Sequence, residues 1–430
     1  MKKLGSSLRT ASTVHVWAVI ACGLLWTAAA PAAQPDLGHG PPPMSVEMLQ
    51  IQPVERTPVT GDVVHYLYDF KVGPGEYDRI QVHRMVRETK NHRPIKTTDG
   101  LLLVPGAPNS FESIFMTPSV SAVPDWDRSV AVFLAQHDFD VWGITFGWAL
   151  VPIETTDFGF MEGWGVDRDA RDTEIALTLA RVVRTRTGQG PGPLHLLGFS
   201  YGVNIAAAVA GAESQWPPRL RNVKGLIPLD NAIQLPEGHA LQVMACNDLF
   251  GYILPSLEGG IFQDDFSFLP LMGEWAIAEP DGVSPIFDWL TNYDATTFLG
   301  IVGGFLAGTL DPLATYTEPD LWVDALRITP PYRTMQVIFD VTAPRCGDPN
   351  YDPAYDDHLG DIALPVLYIA SAGGGEGEIG SYAWYQTASE DITYLMVEGD
   401  QGGFAHGDLF LARDAPDWVW QPIVDWLLSH

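Results

Sequence analysis

Residues 194–204 read LHLLGFSYGVN, and no other stretch restricts the fold so tightly. The run 194–199 is apolar almost throughout, as in a strand buried on both faces of a sheet. The segment that follows, YGVNIAAAVAGA, is built of small residues and has the composition of a closely packed helix. Between them stands Ser200, bracketed by Gly198 and Gly202. A strand that becomes a helix within one residue brings the two elements nearly into contact two positions either side of the turn. Glycine at both positions avoids a Cβ clash. The serine then stands at the C-terminal edge of a sheet and at the positive end of a helix, the arrangement of a nucleophile elbow. In a chain with 42 glycines in 430 residues the five-residue pattern alone could equally mark a small polar residue ending a strand. Its surroundings have to decide.

Strand and helix patterns alternate around it. VVHYLYDF, DRIQVHRMV and GLLLVP, separated by Gly/Pro turns, predict an antiparallel start to a sheet. SIFMTP and FDVWGITF are short apolar runs that predict central strands. DWDRSVAVFLAQH and RDARDTEIALTLARVVRTRTG have helical spacing, the second closing on arginines and Gly188. After the elbow come VKGLIPLD, ALPVLYIAS and ITYLMVEGD as strands, with SYAWYQTA and APDWVWQPIVDWLLSH as helices. Short links between alternating elements predict an α/β fold, a mostly parallel sheet covered by helices on both faces. The alternation stops between Asn231 and Asp361, where aromatic and Pro-rich segments such as LFGYILPSL and IFDWLTNY predict a mainly helical insertion.

The N-terminus carries Lys2, Lys3 and Arg9, then VHVWAVIACGLLWTAAA, then small residues at Ala30 and Ala32. This is the pattern of an export signal over residues 1–32. The apolar stretch is too short to expect a stable membrane span. A lipoprotein signal on Cys22 is the alternative. Residues 33–60 are expected to form a flexible leader, 61–230 and 362–430 the core, and 231–361 the insertion. Export leads to a periplasmic or extracellular location, where Cys246 and Cys346 either pair as a disulfide or remain thiols. A formal net charge of −29 argues against nucleic acid or an anionic membrane as a partner. Asp348, Asn350 and Asp352 begin like a calcium loop, but Pro353 and Leu359 stand where its Gly and closing Glu belong. No metal or other cofactor is expected.

A serine nucleophile needs a base. His406 lies in EGDQGGFAHGDLFL, between the last strand and the last helix, where a glycine-rich loop can turn the ring towards Ser200. Together, LLGFSYG, VKGLIPLDN, LPVLYIAS and GFAHGDLFLARDAPDWVWQPIVDWL resemble the α/β-hydrolase superfamily, its serine esterases and lipases, with a cap between strands six and seven. The resemblance runs from about residue 80 to the C-terminus. It implies Ser200 as nucleophile and His406 as general base.

The usual place for the acid, just after strand seven, holds SAGGGEGEIG, which offers Glu378 and Glu376 a few residues late. The other place used in the superfamily, the end of strand six, holds Asp230. We expect Asp230, with Glu378 and then Glu376 as alternatives; Asp408 reads as a loop or helix-start residue. The Tyr201 N–H supplies one oxyanion donor. At the position taken for strand three, Pro118 of FMTPSVSA has no N–H, so the second donor is expected from Ser119 or Val120. The implied activity is a serine hydrolase cleaving a small-molecule carboxylic ester with an apolar or aromatic group. A serine at the elbow argues against haloalkane or epoxide chemistry, which uses a carboxylate there. A peptidase or amidase with the same triad, or a non-catalytic binding protein of this fold, are the alternatives.

Overall fold

Twelve strands form among the residues that the structure, a computed structural model, describes: 53–121, 124–303, 312–374, 376–399 and 403–430. The expected export signal, Cys22 and the leader up to residue 52 lie outside them. The strands are β1 (Glu55–Thr60), β2 (Val63–Lys71), β3 (Arg79–Lys90), β4 (Arg93–Pro94), β5 (Gly100–Val104), β6 (Asp140–Thr145), β7 (Leu194–Phe199), β8 (Val223–Leu229), β9 (Gln263–Asp265), β10 (Tyr332–Thr334), β11 (Val366–Ser371) and β12 (Ile392–Val397). Ten make one sheet in the order β1-β2-β3-β6-β5-β7-β8-β11-β12, with β4 on the edge of β3. β1, β2 and β3 run antiparallel to their neighbours, and from β6 to β12 all pairings are parallel.

The continuous apolar runs form the central strands because both faces are covered. In β5, Leu102 and Val104 join one buried cluster while Leu101 and Leu103 join the other. The first cluster takes in Ala176 and Leu179 of the helix Val166–Arg186 and Ile205 and Val209 of the helix Tyr201–Ser214. The second takes in Val130 and Leu134 of the helix Val130–Gln136 and Ile423 and Val424 of the helix Gln421–Leu427. Arg84 on β3 donates two bonds to Asp140 on β6, at 2.7 and 2.9 Å, and Arg184 adds a third at 3.0 Å. This paired charge cluster is buried where the antiparallel and parallel halves meet.

Three expectations need correction. Residues 55–60 are not leader but β1, whose alternation lets it pair with β2. GLLLVP is not part of the antiparallel start; β5 lies between β6 and β7 and is parallel to both. SIFMTP is not a strand. Ser110 caps a helix at Phe111–Phe115 through a reciprocal bond with Ser113, and Phe111, Ile114 and Phe115 all face the core at helical spacing. A 3₁₀ turn, Thr117–Val120, follows.

Between β8 and β11 the chain forms helices at Ala240–Asp248, Leu254–Glu258, Phe268–Ala278, Asn292–Val302, Pro319–Arg327 and Met335–Cys346, with β9 and β10 paired antiparallel. Cys246 and Cys346 form a disulfide between the first and last of these helices, across a separation of 100 residues. All described residues belong to one compact unit, 37–430. None of the described helices is long and apolar enough to cross a membrane.

Candidate active site

The turn after β7 is as tight as its glycines require. Ser200 has φ 53° and ψ −124°, a left-handed conformation rare for a residue with a side chain. A Cβ on Gly198 would stand 2.2 Å from the Gly202 carbonyl oxygen, and one on Gly202 would stand 2.4 Å from that of Val104 on β5. The elbow is therefore wedged against the neighbouring strand as well as against its own helix. The Ser200 N–H donates to Leu229 O at 3.0 Å, which ties the turn to the end of β8.

Asp230 leaves β8 with φ 55°, a conformation that Asp tolerates better than most residues. Its N–H donates to Ile369 O on β11, at 2.8 Å. Its side chain crosses the end of that strand, where Oδ1 accepts from the Ser371 N–H (2.9 Å) and Oδ2 from the Ser371 hydroxyl (2.6 Å). Oδ2 also bonds His406 Nδ1 at 2.7 Å. The carboxylate is 2% exposed and the imidazole 20%, so the acid is sealed while the ring reaches the cavity. The ring stacks on Phe199, with centroids 4.6 Å apart, beside the serine. Ser200 and His406 line the same cavity.

The two glutamates lie elsewhere. Glu378 is exposed on a 3₁₀ turn, Gly377–Ser381. Glu376 is buried, pairs with Arg345 at 2.7 Å and accepts from the Ala232 N–H. Burial raises its carboxyl above the usual range, and Arg345 opposes that shift. The segment after β11 has no room for an acid. A Cβ on Gly374 would stand 2.1 Å from Ser371 Oγ and 2.9 Å from Asp230 Oδ2, and one on Gly373 would stand 2.9 Å from the Gly403 and Phe404 carbonyl oxygens. Those glycines let the His406 loop and the Asp230 carboxylate close over the strand end.

The expected oxyanion donors divide. Tyr201 opens the helix after Ser200, where first-turn N–H groups have no intrahelical partner. Its hydroxyl donates to the buried Asp169 at 2.9 Å and holds the helix start. Ser119 and Val120 do not meet the elbow. The Ser119 N–H closes the 3₁₀ turn onto Met116 O, and the Val120 carbonyl accepts from Arg327. The strand beside the elbow is β5, so the loop that faces Ser200 is PGAP, residues 105–108. A Cβ on Gly106 would stand 2.7 Å from Ser200 Cβ, and Ala107 borders the cavities on both sides of the serine. Ala107 is thus, with Ser200, a residue that both cavities share. The missed signal was a glycine directly after the apolar run GLLLVP.

Asp408 is fully buried and organises the His406 loop. Its carboxylate accepts from the N–H groups of Ala405, Thr315, Tyr316 and Thr317, and from the Thr317 hydroxyl, at 2.6 to 3.1 Å. Gly407 N–H adds a bond to Leu313 O at 2.7 Å. The inserted segment therefore holds the loop that carries the imidazole. Among the described residues no cluster of His, Cys, Asp or Glu is arranged to hold a metal ion.

The strand order, with the elbow after β7 and the long insertion between β8 and β11, can be set against solved structures. A candidate lipase from Sulfolobus solfataricus aligns at 20% identity with a TM-score of 0.63, over 88% of this chain and 99% of that one. The chain has the α/β-hydrolase fold. A hypothetical protein from Pseudomonas aeruginosa aligns with a TM-score of 0.50 at 12% identity, over 87% of this chain and 96% of that one. No protein-family model matches the chain, and no curated protein sequence does. In α/β-hydrolase terms β8 and β11 correspond to strands six and seven, with the long insertion between them.

Proposed function

We propose that this α/β-hydrolase is an exported serine hydrolase of carboxylic esters, with Ser200, His406 and Asp230 as its triad. The observation that carries the reading is the 2.7 Å bond between Asp230 Oδ2 and His406 Nδ1, beside a serine held at φ 53° in the same cavity. With Nδ1–H donating to Asp230, Nε2 is the basic nitrogen, on a ring that lines the same cavity as Ser200.

Nε2 takes the Ser200 hydroxyl proton as Oγ attacks the ester carbonyl. The oxygen of the tetrahedral intermediate accepts from the Tyr201 and Ala107 N–H groups. The imidazolium then gives its proton to the leaving alkoxide, and the alcohol departs. Water repeats the sequence on the acyl-enzyme and releases the acid. Asp230 fixes the ring tautomer and stabilises the imidazolium without taking its proton.

Export is part of the proposal. It rests on the basic start, apolar middle and small-residue site of residues 1–32, and the Cys246–Cys346 disulfide suits an oxidising compartment. N-terminal sequencing of the protein from a periplasmic or culture fraction checks it, with mature termini at residue 33 or 34 expected. Turnover of p-nitrophenyl esters checks the chemistry. Ser200→Ala and His406→Ala should each lose activity by about 10³-fold or more, and a Ser200→Ala variant that keeps parental turnover refutes the reading.

A further inference from the structure

Two cavities meet at Ser200. One, of about 100 Å³, is lined by His406 and by apolar side chains that include Phe266, Leu269, Leu299, Trp322 and Leu326. The other, of about 260 Å³, lies along one face of the helix Met335–Cys346, where Val337, Ile338 and Val341 stand beside the polar Asn231, Arg345 and Glu376. Ala107 and Ser200 are the residues common to both. His406 borders the small cavity and Tyr201 the large one.

From this division, and resting on the ester-hydrolase reading above, we infer that the enzyme sorts the two halves of its substrate: a compact apolar alcohol in the small cavity and a larger amphiphilic acid in the other. The substrate class is short-alcohol esters of long or bulky acids. The direction follows from proton transfer. The imidazolium must reach the leaving oxygen, and its Nδ1 is held by Asp230, so the alcohol half lies on the side that His406 lines. With the alcohol half on the His406 side, the acid, whose carbonyl carbon is bonded to Ser200, is left the other cavity that opens on Ser200.

Size and polarity then set the selection. A dry apolar cavity of about 150 Å³ holds one benzene molecule, so the small cavity takes less than one aromatic ring and the large one takes more. Asn109, Ser113 and Thr329 also border the small cavity, but most of its wall is aliphatic or aromatic, so a hydroxylated alcohol there would give up water for few partners. In the large cavity Arg345 bonds Asn231 at 2.6 Å and Glu376 at 2.7 Å, so a chain with polar substituents meets polar as well as aliphatic wall.

Transposed isomers test the sorting with identical atoms. Methyl octanoate should exceed octyl acetate in kcat/KM by at least about tenfold, and a ratio of one or below overturns the inference. Ala325→Phe, which fills the small cavity, should lower the butyl-to-methyl octanoate ratio roughly tenfold, and Leu326→Ala, which enlarges it, should raise that ratio. Equal effects on both esters also overturn it, and the two variants act in opposite directions, so loss of fold in one cannot mimic the result. Methyl octanoate turnover that survives Ser200→Ala would instead refute the serine-hydrolase reading itself. A reversed isomer preference that still depends on Ser200 refutes the sorting alone.

Discussion

Replacing Asp408 with Asn keeps the shape of the side chain and removes half of its capacity to accept hydrogen bonds. Oδ2 takes the N–H groups of Thr315 and Ala405, while Oδ1 takes the N–H and hydroxyl of Thr317, with Tyr316 shared between them. Whichever way the amide is turned, its NH₂ opposes at least two donors in a site closed to water. Each unsatisfied buried group costs about 1–3 kcal/mol, so the change should destabilise by roughly 2–5 kcal/mol. With an unfolding entropy of about 2.1 cal/mol/K per residue, a chain of this size should lose roughly 2–6 °C in Tm. The effect on chemistry follows from position. Ala405 precedes His406, and the Thr315 and Thr317 bonds come from the segment inserted between β8 and β11, so loosening them lets the imidazole drift from its place against Asp230. A misplacement of about 1 Å can cost about 10²-fold, so kcat should fall at least tenfold with KM changed little. Calorimetry and ester turnover on the same preparation measure both. A Tm within one degree of the parent, with kcat unchanged, would refute the claim that this carboxylate ties the inserted segment to the histidine loop.

Other outcomes follow from the same geometry. Asp230→Asn should lower kcat by about 10³–10⁴-fold, whereas Glu378→Gln, at an exposed position, should stay within about twofold; a comparable loss at Glu378 would reassign the acid. Asp340, on the helix Met335–Cys346, accepts from the Val166 N–H at 2.7 Å, and burial pushes its carboxyl up to about 7. A folded-state value above the ordinary one gives stability that is full below about pH 4 and lost as pH rises through 7. Tm should therefore fall between pH 4 and pH 7, and Asp340→Asn should remove on the order of 4 kcal/mol of that loss; an unchanged pH dependence contradicts it. Reduction of Cys246–Cys346 should cost roughly 4–5 kcal/mol in the chain-entropy account, read as a lower melting temperature in dithiothreitol than without it.

Much of the sheet was legible because its central strands are continuous apolar runs and its helices carry clean amphipathic or small-residue patterns. Ser200 and His406 were legible through local glycines, and Asp230 through its place at the end of GLIPLD. The segment expected beside the elbow was misread for a physical reason. FESIF has the apolar density of a strand, yet Ser110 caps it as a helix, and that shifted strand three from GLLLV to the wrong segment. That Asp230 rather than Glu378 reaches His406 turned on long-range packing: Gly374 leaves the space that the Asp230 carboxylate occupies, and Gly373 the space that the His406 loop does. The tie made by Asp408 was equally hidden, since its donors lie about ninety residues away in the chain. A disulfide between Cys246 and Cys346 depended on two helices of the insertion meeting, which spacing alone does not determine.

The central claim is that Ser200 is an activated nucleophile. Treating the folded protein with a fluorophosphonate and mapping the adduct by peptide mass spectrometry tests it directly. One adduct is expected, on Ser200, formed in step with loss of ester turnover and strongly slowed by His406→Ala. Full retention of turnover with Ser200 modified, or modification of a different residue in step with the loss, would contradict it.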